Sequence, residues 1–303
     1  MQHWITYPLI QHPYDPAFVD GDSLRRIAQA TETAGFAGIG FTDHPAPTHR
    51  WLEAGGHDAF DPFAALAFVA ACTERIRLIP NIVVLPYRNP FIVAKAVATI
   101  DALSRGRFTL SVATGYLRAE YRAVGVDPDV RNELFDEALE VLRGVWSTDE
   151  FVYEGRTFTA VGQTVNPKPA HVPIWIGGNS ARARQRVADV GDGWNPFPAP
   201  AGVARTTKTP ALETLDDLAT MLDDLHRRLD VASRDPSSID VSFVARAGGS
   251  LDGDRFDVDT HLAELDRLAS MGVTWNGVGI PGDSVDHAIE AIERYGETVI
   301  RRH

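Results

Sequence analysis

One cysteine, Cys72, stands among 303 residues. Neither a disulfide within the chain nor a multi-cysteine metal site can form, which fits a reducing, cytoplasmic setting. Lysine is scarce too: it occurs only at 95, 168 and 208, and arginine carries the rest of the positive charge. With 29 basic against 41 acidic residues the formal net charge is −12. That balance argues against a nucleic acid or an anionic membrane as the main partner. No run approaches the ~20 apolar residues that span a bilayer. The start, Met1-Gln2-His3-Trp4-Ile5, has no basic stretch ahead of an apolar one, so no export signal is expected. Several enzyme motifs are missing as well. There is no Gly-x-Ser-x-Gly elbow of a serine hydrolase and no Gly-x-Gly-x-x-Gly after an early strand for a Rossmann site. His49 and His57, near Asp43 and Asp58, match no metal-ligand spacing, and no metal is expected.

What is present is a balanced globular composition, 44% hydrophobic and 23% charged, with enough apolar material for a large core. Short apolar runs alternate with helical patterns from end to end. The strands are predicted at 3–7, 37–42, 76–84, 107–113, 173–176, 191–195, 239–245 and 273–280. Eight such runs, each followed by a helical pattern, favour a closed α/β barrel, (β/α)8, over an open sheet, as one domain over residues 1–303. Helix starts carry good chemistry. Asp61-Pro62 and Asn89-Pro90 each offer a cap followed by proline at the first helical position, and Ser284 can cap a last helix through Ile300. Two stretches exceed a minimal barrel: a hairpin insertion at 150–160 around Glu154-Gly155-Arg156, and a Pro-, Ala- and Thr-rich loop insertion at 196–212.

In such a barrel the chemistry lies at the carboxyl ends of the strands. Four places qualify. After the second strand comes Thr42-Asp43-His44. His44 can move a proton near neutral pH, and a neighbouring carboxylate can orient it; a plain turn cap at Asp43 is the blander reading. The third strand, with Pro80-Asn81-Ile82 and Pro86, suggests a bulge or bend, followed by Arg88 as either an anion ligand or a solvated arginine. After the fourth strand, Thr114-Gly115-Tyr116 permits close backbone approach to a flat or charged ligand, or is an ordinary turn. After the fifth, Ile176-Gly177-Gly178-Asn179-Ser180 leads from a buried strand into a helix. There the unpaired N–H groups can hold a phosphate, although Ser180 can equally be a simple N-cap.

Taken as a set, four fragments resemble the luciferase-like monooxygenase superfamily, and within it the actinobacterial branch that uses the deazaflavin coenzyme F420. They are Thr42-Asp43-His44; Val83-Val84-Leu85-Pro86-Tyr87-Arg88-Asn89-Pro90; Leu103-Ser104-Arg105-Gly106-Arg107 running to Thr114-Gly115-Tyr116; and Ile174-Trp175-Ile176-Gly177-Gly178-Asn179 with Gly191-Asp192-Gly193-Trp194. The likeness covers about residues 20–200, and the last third matches only as barrel strands and helices. It implies a bacterial luciferase-like TIM barrel holding a deazaflavin or flavin at the strand ends. It also implies a non-proline cis peptide at Asn81-Ile82 in the bulge behind the ring. Asp43, Asn81, Ile82, Thr114 and Gly115 would lie against the cofactor, and Ile176, Gly177, Gly178 and Asn179 would hold its phosphate end. His44 would exchange a proton with Asp43 orienting it, and Tyr116 and Trp51 would wall the substrate pocket. The implied cofactor is F420, with FMN as the alternative. The implied reaction is hydride transfer with an unidentified small organic molecule, in a homodimer. An FMN monooxygenase, a carrier without turnover and a metal hydrolase barrel stay open as rivals. Sugar-phosphate dehydrogenases of the superfamily carry a tryptophan where this chain has Thr48 and a glutamate where it has Tyr116, which speaks against that substrate class.

Overall fold

The computed structural model describes residues 1–251 and 255–303. Its strands are β1 (Gln2–Thr6), β2 (Gly38–Gly40), β3 (Arg77–Leu78), β4 (Val83–Val84), β5 (Leu110–Ala113), β6 (Phe151–Glu154), β7 (Thr159–Gln163), β8 (Ile174–Gly177), β9 (Gly193–Asn195), β10 (Asp240–Phe243) and β11 (Trp275–Val278). The α-helices are α1 (Gly21–Thr33), α2 (His49–Glu53), α3 (Pro62–Cys72), α4 (Pro90–Leu103), α5 (Arg118–Ala123), α6 (Arg131–Ser147), α7 (Ala181–Val190), α8 (Ala201–Thr207), α9 (Leu215–Val231), α10 (Val258–Ser270) and α11 (Val285–Tyr295).

Nine strands form one parallel sheet in the order β3-β2-β1-β11-β10-β9-β8-β5-β4. The two ends of that order, β3 and β4, are halves of a single chain segment broken at residues 79–82. β3 pairs with β2 through Ile39↔Leu78, β4 pairs with β5 through Val83↔Val112, and Leu78 also bridges Phe108. The third strand therefore closes the ring, and it does so across its own break. Every residue of β2, β5, β8, β9 and β11 is buried, because helices cover the outside and side chains fill the inside. This is why these runs are apolar or small, interrupted only by Asn195 and Asn276, rather than alternating. Inside the ring Trp4, Ile79, Trp175 and Trp275 pack together, and the larger core lies between strands and helices.

The caps do what their residue types allow. Asp61 accepts from the Phe63 and Ala64 N–H groups, Asn89 from Phe91 N–H, and Ser284 from His287 N–H. The last α-helix gives way at Gly296 to a π-type turn through Ile300. β6 and β7 form an antiparallel hairpin over 151–163. Its turn is tied to α6 by Glu137, whose carboxylate accepts from the backbone of Arg156 and Thr157. Residues 196–212, expected as a loop, instead carry α8, and their ends meet in an antiparallel bridge, Ala199↔Leu212. The run Ala201-Gly202-Val203-Ala204 is helix-competent once Pro200 sets its start, and Lys208 in the left-handed region stops it.

His3 on β1 makes a prediction about acid stability. It is buried, and its Nδ1 lies 3.2 Å from the Tyr295 hydroxyl. Burial, and after it the charges of His303, the chain start and His261, depress its pKa to about 3. The native imidazole is therefore neutral where the unfolded one, near 6.5, takes up a proton. The associated stability is complete above pH 6.5 and is lost as pH falls toward 3, by of order 4 kcal/mol. Urea midpoints measured from pH 7 to 4 should fall less steeply in His3→Gln than in the parent. Identical slopes would show that His3 does not drive the loss.

Candidate functional site

A cavity of about 420 Å³ opens at the carboxyl ends of the strands, within the range of small-molecule sites. Its wall draws on five strand ends: Thr42, Asp43 and His44 after β2; Asn81 and Ile82 in the break of strand three; Thr114, Gly115 and Tyr116 after β5; Gly177, Gly178 and Ser180 after β8; and Asn195 and Phe197 after β9. The Asn81–Ile82 peptide is cis. The Asn81 side chain donates to Thr6 Oγ1 at 3.1 Å and accepts from Asn195 Nδ2 at 3.3 Å, and Asn195 also donates to Ser111 Oγ at 3.2 Å. Four strand positions are thus laced together at the base. A Cβ on Gly177 would stand 2.9 Å from Ile82 Cδ1, so the glycine turn and the break lie directly side by side. Gly115 has φ +65°, and a Cβ there would come 2.5 Å from Val84 Cγ1. Gly115→Ala should therefore push β4 and cost roughly 1–3 kcal/mol through strain and overpacking. A melting temperature unchanged from the parent would contradict that close packing.

Asp43 and His44 are neighbours in sequence but serve separate networks. Asp43 does not orient His44. Its carboxylate is buried in a two-pronged pair with Arg88, at 2.5 and 2.8 Å, and accepts from Val84 N–H at 2.8 Å. Burial raises the Asp43 carboxyl above its ordinary value, and Arg88 and the Val84 N–H pull against it. Arg88 in turn is held above its ordinary value, against burial, by Asp43 and Asp61. It is therefore committed to carboxylates rather than open to a free anion.

The partner of His44 is Glu120, on α5. His44 Nδ1 lies 3.1 Å from Glu120 Oε2, and Glu120 also accepts from Ala46 N–H at 3.2 Å and from the Tyr87 hydroxyl at 3.2 Å. A carboxylate accepting at Nδ1 fixes the tautomer that carries its hydrogen there and leaves a lone pair on Nε2. Burial and then the charge of Glu120 raise the phenols of both Tyr87 and Tyr116, so each stays a hydrogen-bond donor. Two further rings enclose the imidazole: Trp51 tilted over it at 4.5 Å and His57 edge-on at 4.8 Å. Trp51 packs on His44 and does not itself line the cavity. Burial depresses His57, whose Nδ1 faces the Asp58 carbonyl at 3.0 Å. The tryptophan and glutamate missing at 48 and 116 thus have counterparts three and four residues on that both reach His44. Glu120 was legible only as the acid one helical turn beyond Tyr116.

At the glycine turn, Ser180 caps α7 by accepting from Ala183 N–H at 3.1 Å, and Gly178 sits at φ +102°, where an added Cβ would meet only Ala183 Cβ, at 4.0 Å. The Ala181 and Arg182 N–H groups at the start of α7 have no intrahelical acceptor, and Ser180 and Ala183 on either side of them line the cavity. Two assigned residues lie elsewhere. Ile176 is fully buried among strand neighbours, outside the cavity lining. Asn179 is fully buried: it donates to the Phe197 and Pro210 carbonyls and accepts from Phe197 N–H, clasping the two loops above the turn. Each arginine of the run after the turn is paired to a carboxylate. Arg182 and Arg186 pair with Asp136 and Arg184 with Asp224, and Arg186 alone of the three lines the cavity. The segment 196–212 contributes Val203, Thr207, Lys208 and Thr209 to the same wall, which places a cation beside the turn.

A phosphate-bearing tricyclic ring fits what is present: a glycine with no Cβ at the turn, helical N–H groups, a lysine, and a polar base at Asn81. No helix among the described residues is long and apolar enough to cross a membrane. The family model described as luciferase-like monooxygenase matches residues 4–248. An uncharacterized protein of Mycobacterium tuberculosis is 29% identical over 255 residues, 83% of this chain and 79% of that protein. An FMNH2-dependent dimethylsulfone monooxygenase of Pseudomonas fluorescens is 32% identical over 178 residues, 56% of this chain and 46% of that protein. Among solved structures, an F420-dependent secondary alcohol dehydrogenase in complex with an F420-acetone adduct superposes with a TM-score of 0.76 at 18% identity, covering 100% of this chain and 99% of the other.

Proposed function

Because the chain belongs to the luciferase-like monooxygenase family, we propose that it is an F420-dependent oxidoreductase that moves a hydride between the deazaflavin and a small organic substrate. The observation that carries the reading is the convergence of Asn81, Ile82, Gly177 and Gly178 on one cavity that also contains His44. When bound, a deazaflavin supplies two-electron hydride chemistry at its ring. The remaining work falls to residues of this chain. Gly178, Ser180 and Lys208 hold the phosphate end. Asn81 and Asn195, locked to each other and to Thr6 and Ser111, form a fixed polar base to the cavity on which the ring would rest. Loss of a hydride from an alcohol carbon strands a proton on its oxygen, and His44 Nε2 accepts it; in reverse, His44 returns it. Glu120 fixes the ring and the tautomer of His44. Tyr116, whose ring stands edge-on to His44 at 6.5 Å, donates a hydrogen bond to the substrate oxygen, its phenol kept protonated by burial.

A second reading, reduced FMN with oxygen, is favoured by the Pseudomonas relative. The two readings part on oxygen. Oxidised and reduced F420 would be incubated with a panel of alcohols, ketones and enones in the absence of oxygen and followed by absorbance. The first reading expects anaerobic turnover with at least one class. Turnover seen only with reduced FMN, and matched by oxygen consumption, would replace it with the second.

A further inference from the structure

Next to the cavity, two imidazoles and a carboxylate meet outside the machinery described so far. His49 and Glu53 lie one helical turn apart on α2 and share a face. His12, from the segment ahead of α1, comes up against them. His12 Nε2 is 3.5 Å and His49 Nε2 3.7 Å from the same oxygen, Glu53 Oε1, and all three atoms lie within 4.8 Å of one another. Those separations lie within ion-pair range but are longer than well-formed hydrogen bonds. They are close to the spacing of ligands around a common centre: bonds of ~2.0–2.1 Å in a tetrahedral zinc site put neighbouring ligand atoms about 3.3–3.4 Å apart. His12 is also oriented as a ligand would be. Its Nδ1 is 2.7 Å from Asp58 Oδ2, the carboxylate–imidazole arrangement that fixes a metal-bound histidine and leaves Nε2 with its lone pair.

We propose that His12, His49 and Glu53 bind a divalent transition-metal cation of the zinc class, with water completing four ligands. Two imidazoles and one carboxylate suit that class and not magnesium or calcium, which prefer oxygen. None of the three residues lines the cavity, so the cation is structural. It clasps α2 to the segment before α1, and α2 carries Trp51 over His44. The sequence drew His49 toward His57; the fold gives His57 to His44 and brings His12, 37 positions upstream, to His49.

The test is zinc binding by the chelator-stripped full chain, measured by competition with a chromophoric chelator, alongside visible spectra of the cobalt-loaded protein. The expected result is one zinc per chain and the intense cobalt bands of a four-coordinate site. Asp58→Asn, which keeps every direct ligand, should weaken binding about 10- to 100-fold, and His49→Ala by more. His49 is largely exposed, so its replacement leaves the fold intact. Zinc affinity equal in parent and His49→Ala, or a weak six-coordinate cobalt spectrum unchanged by that substitution, would overturn the proposal.

Discussion

His44→Ala is expected to slow turnover by about a hundredfold or more, the range for loss of a general acid–base group, while cofactor titration changes by no more than a few-fold. The expectation rests on how the imidazole is held. Three donors converge on Glu120, and one of them is His44 Nδ1–H, so the ring has one orientation and one tautomer. Glu120→Gln keeps the shape of this arrangement but replaces the carboxylate that accepts from Nδ1–H with an amide. It should slow turnover, by less than His44→Ala does. Turnover by His44→Ala at the parent rate would take this residue out of the chemistry altogether.

Asp43→Asn is expected to destabilise the fold by roughly 3 kcal/mol, the lower end of the range for leaving one member of a buried pair alone. Asp61, 3.1 Å from Arg88, keeps part of the counter-charge and sets the effect at that end. The melting temperature should fall by roughly 5–10 °C. Pairing Asp43→Asn with Arg88→Met, which removes the stranded cation, should recover much of the loss. These outcomes separate two roles for one residue. A carboxylate serving Arg88 and the Val84 N–H gives a large stability change with partial rescue. One serving His44 would give a kinetic and pH effect at nearly unchanged stability.

The barrel was legible because its strands are buried on both faces and so read as apolar runs, with capped helices between them. The bend at Asn81-Ile82 was legible from its prolines and asparagine. That the same bend closes the ring was not, because pairing of Leu78 with both Ile39 and Phe108 is a long-range fact. At the candidate site, residue type and position pointed to His44 and the glycine turn, which line the same cavity. Partnership failed, because adjacent residues at a strand end point to opposite sides: Asp43 turns inward to Arg88 while His44 turns to Glu120, 76 residues away. Asn179 misled by type alone. Next to two glycines an asparagine suggests a ligand contact, yet here its amide closes loops at Phe197 and Pro210. The stretch 196–212 read as a loop by composition, and it carries a short helix that ends at Lys208, a residue of the cavity wall.

The most direct measurement is titration of the cofactor-free protein with F420 and, separately, FMN, followed by ligand fluorescence, in parent and Gly177→Val. A side chain at 177 would press on Ile82 and Ala113, closing the junction between glycine turn and broken strand. Saturable one-to-one binding of F420 that Gly177→Val abolishes is the predicted result. Binding of neither compound by the parent, or F420 affinity untouched by Gly177→Val, would contradict the account.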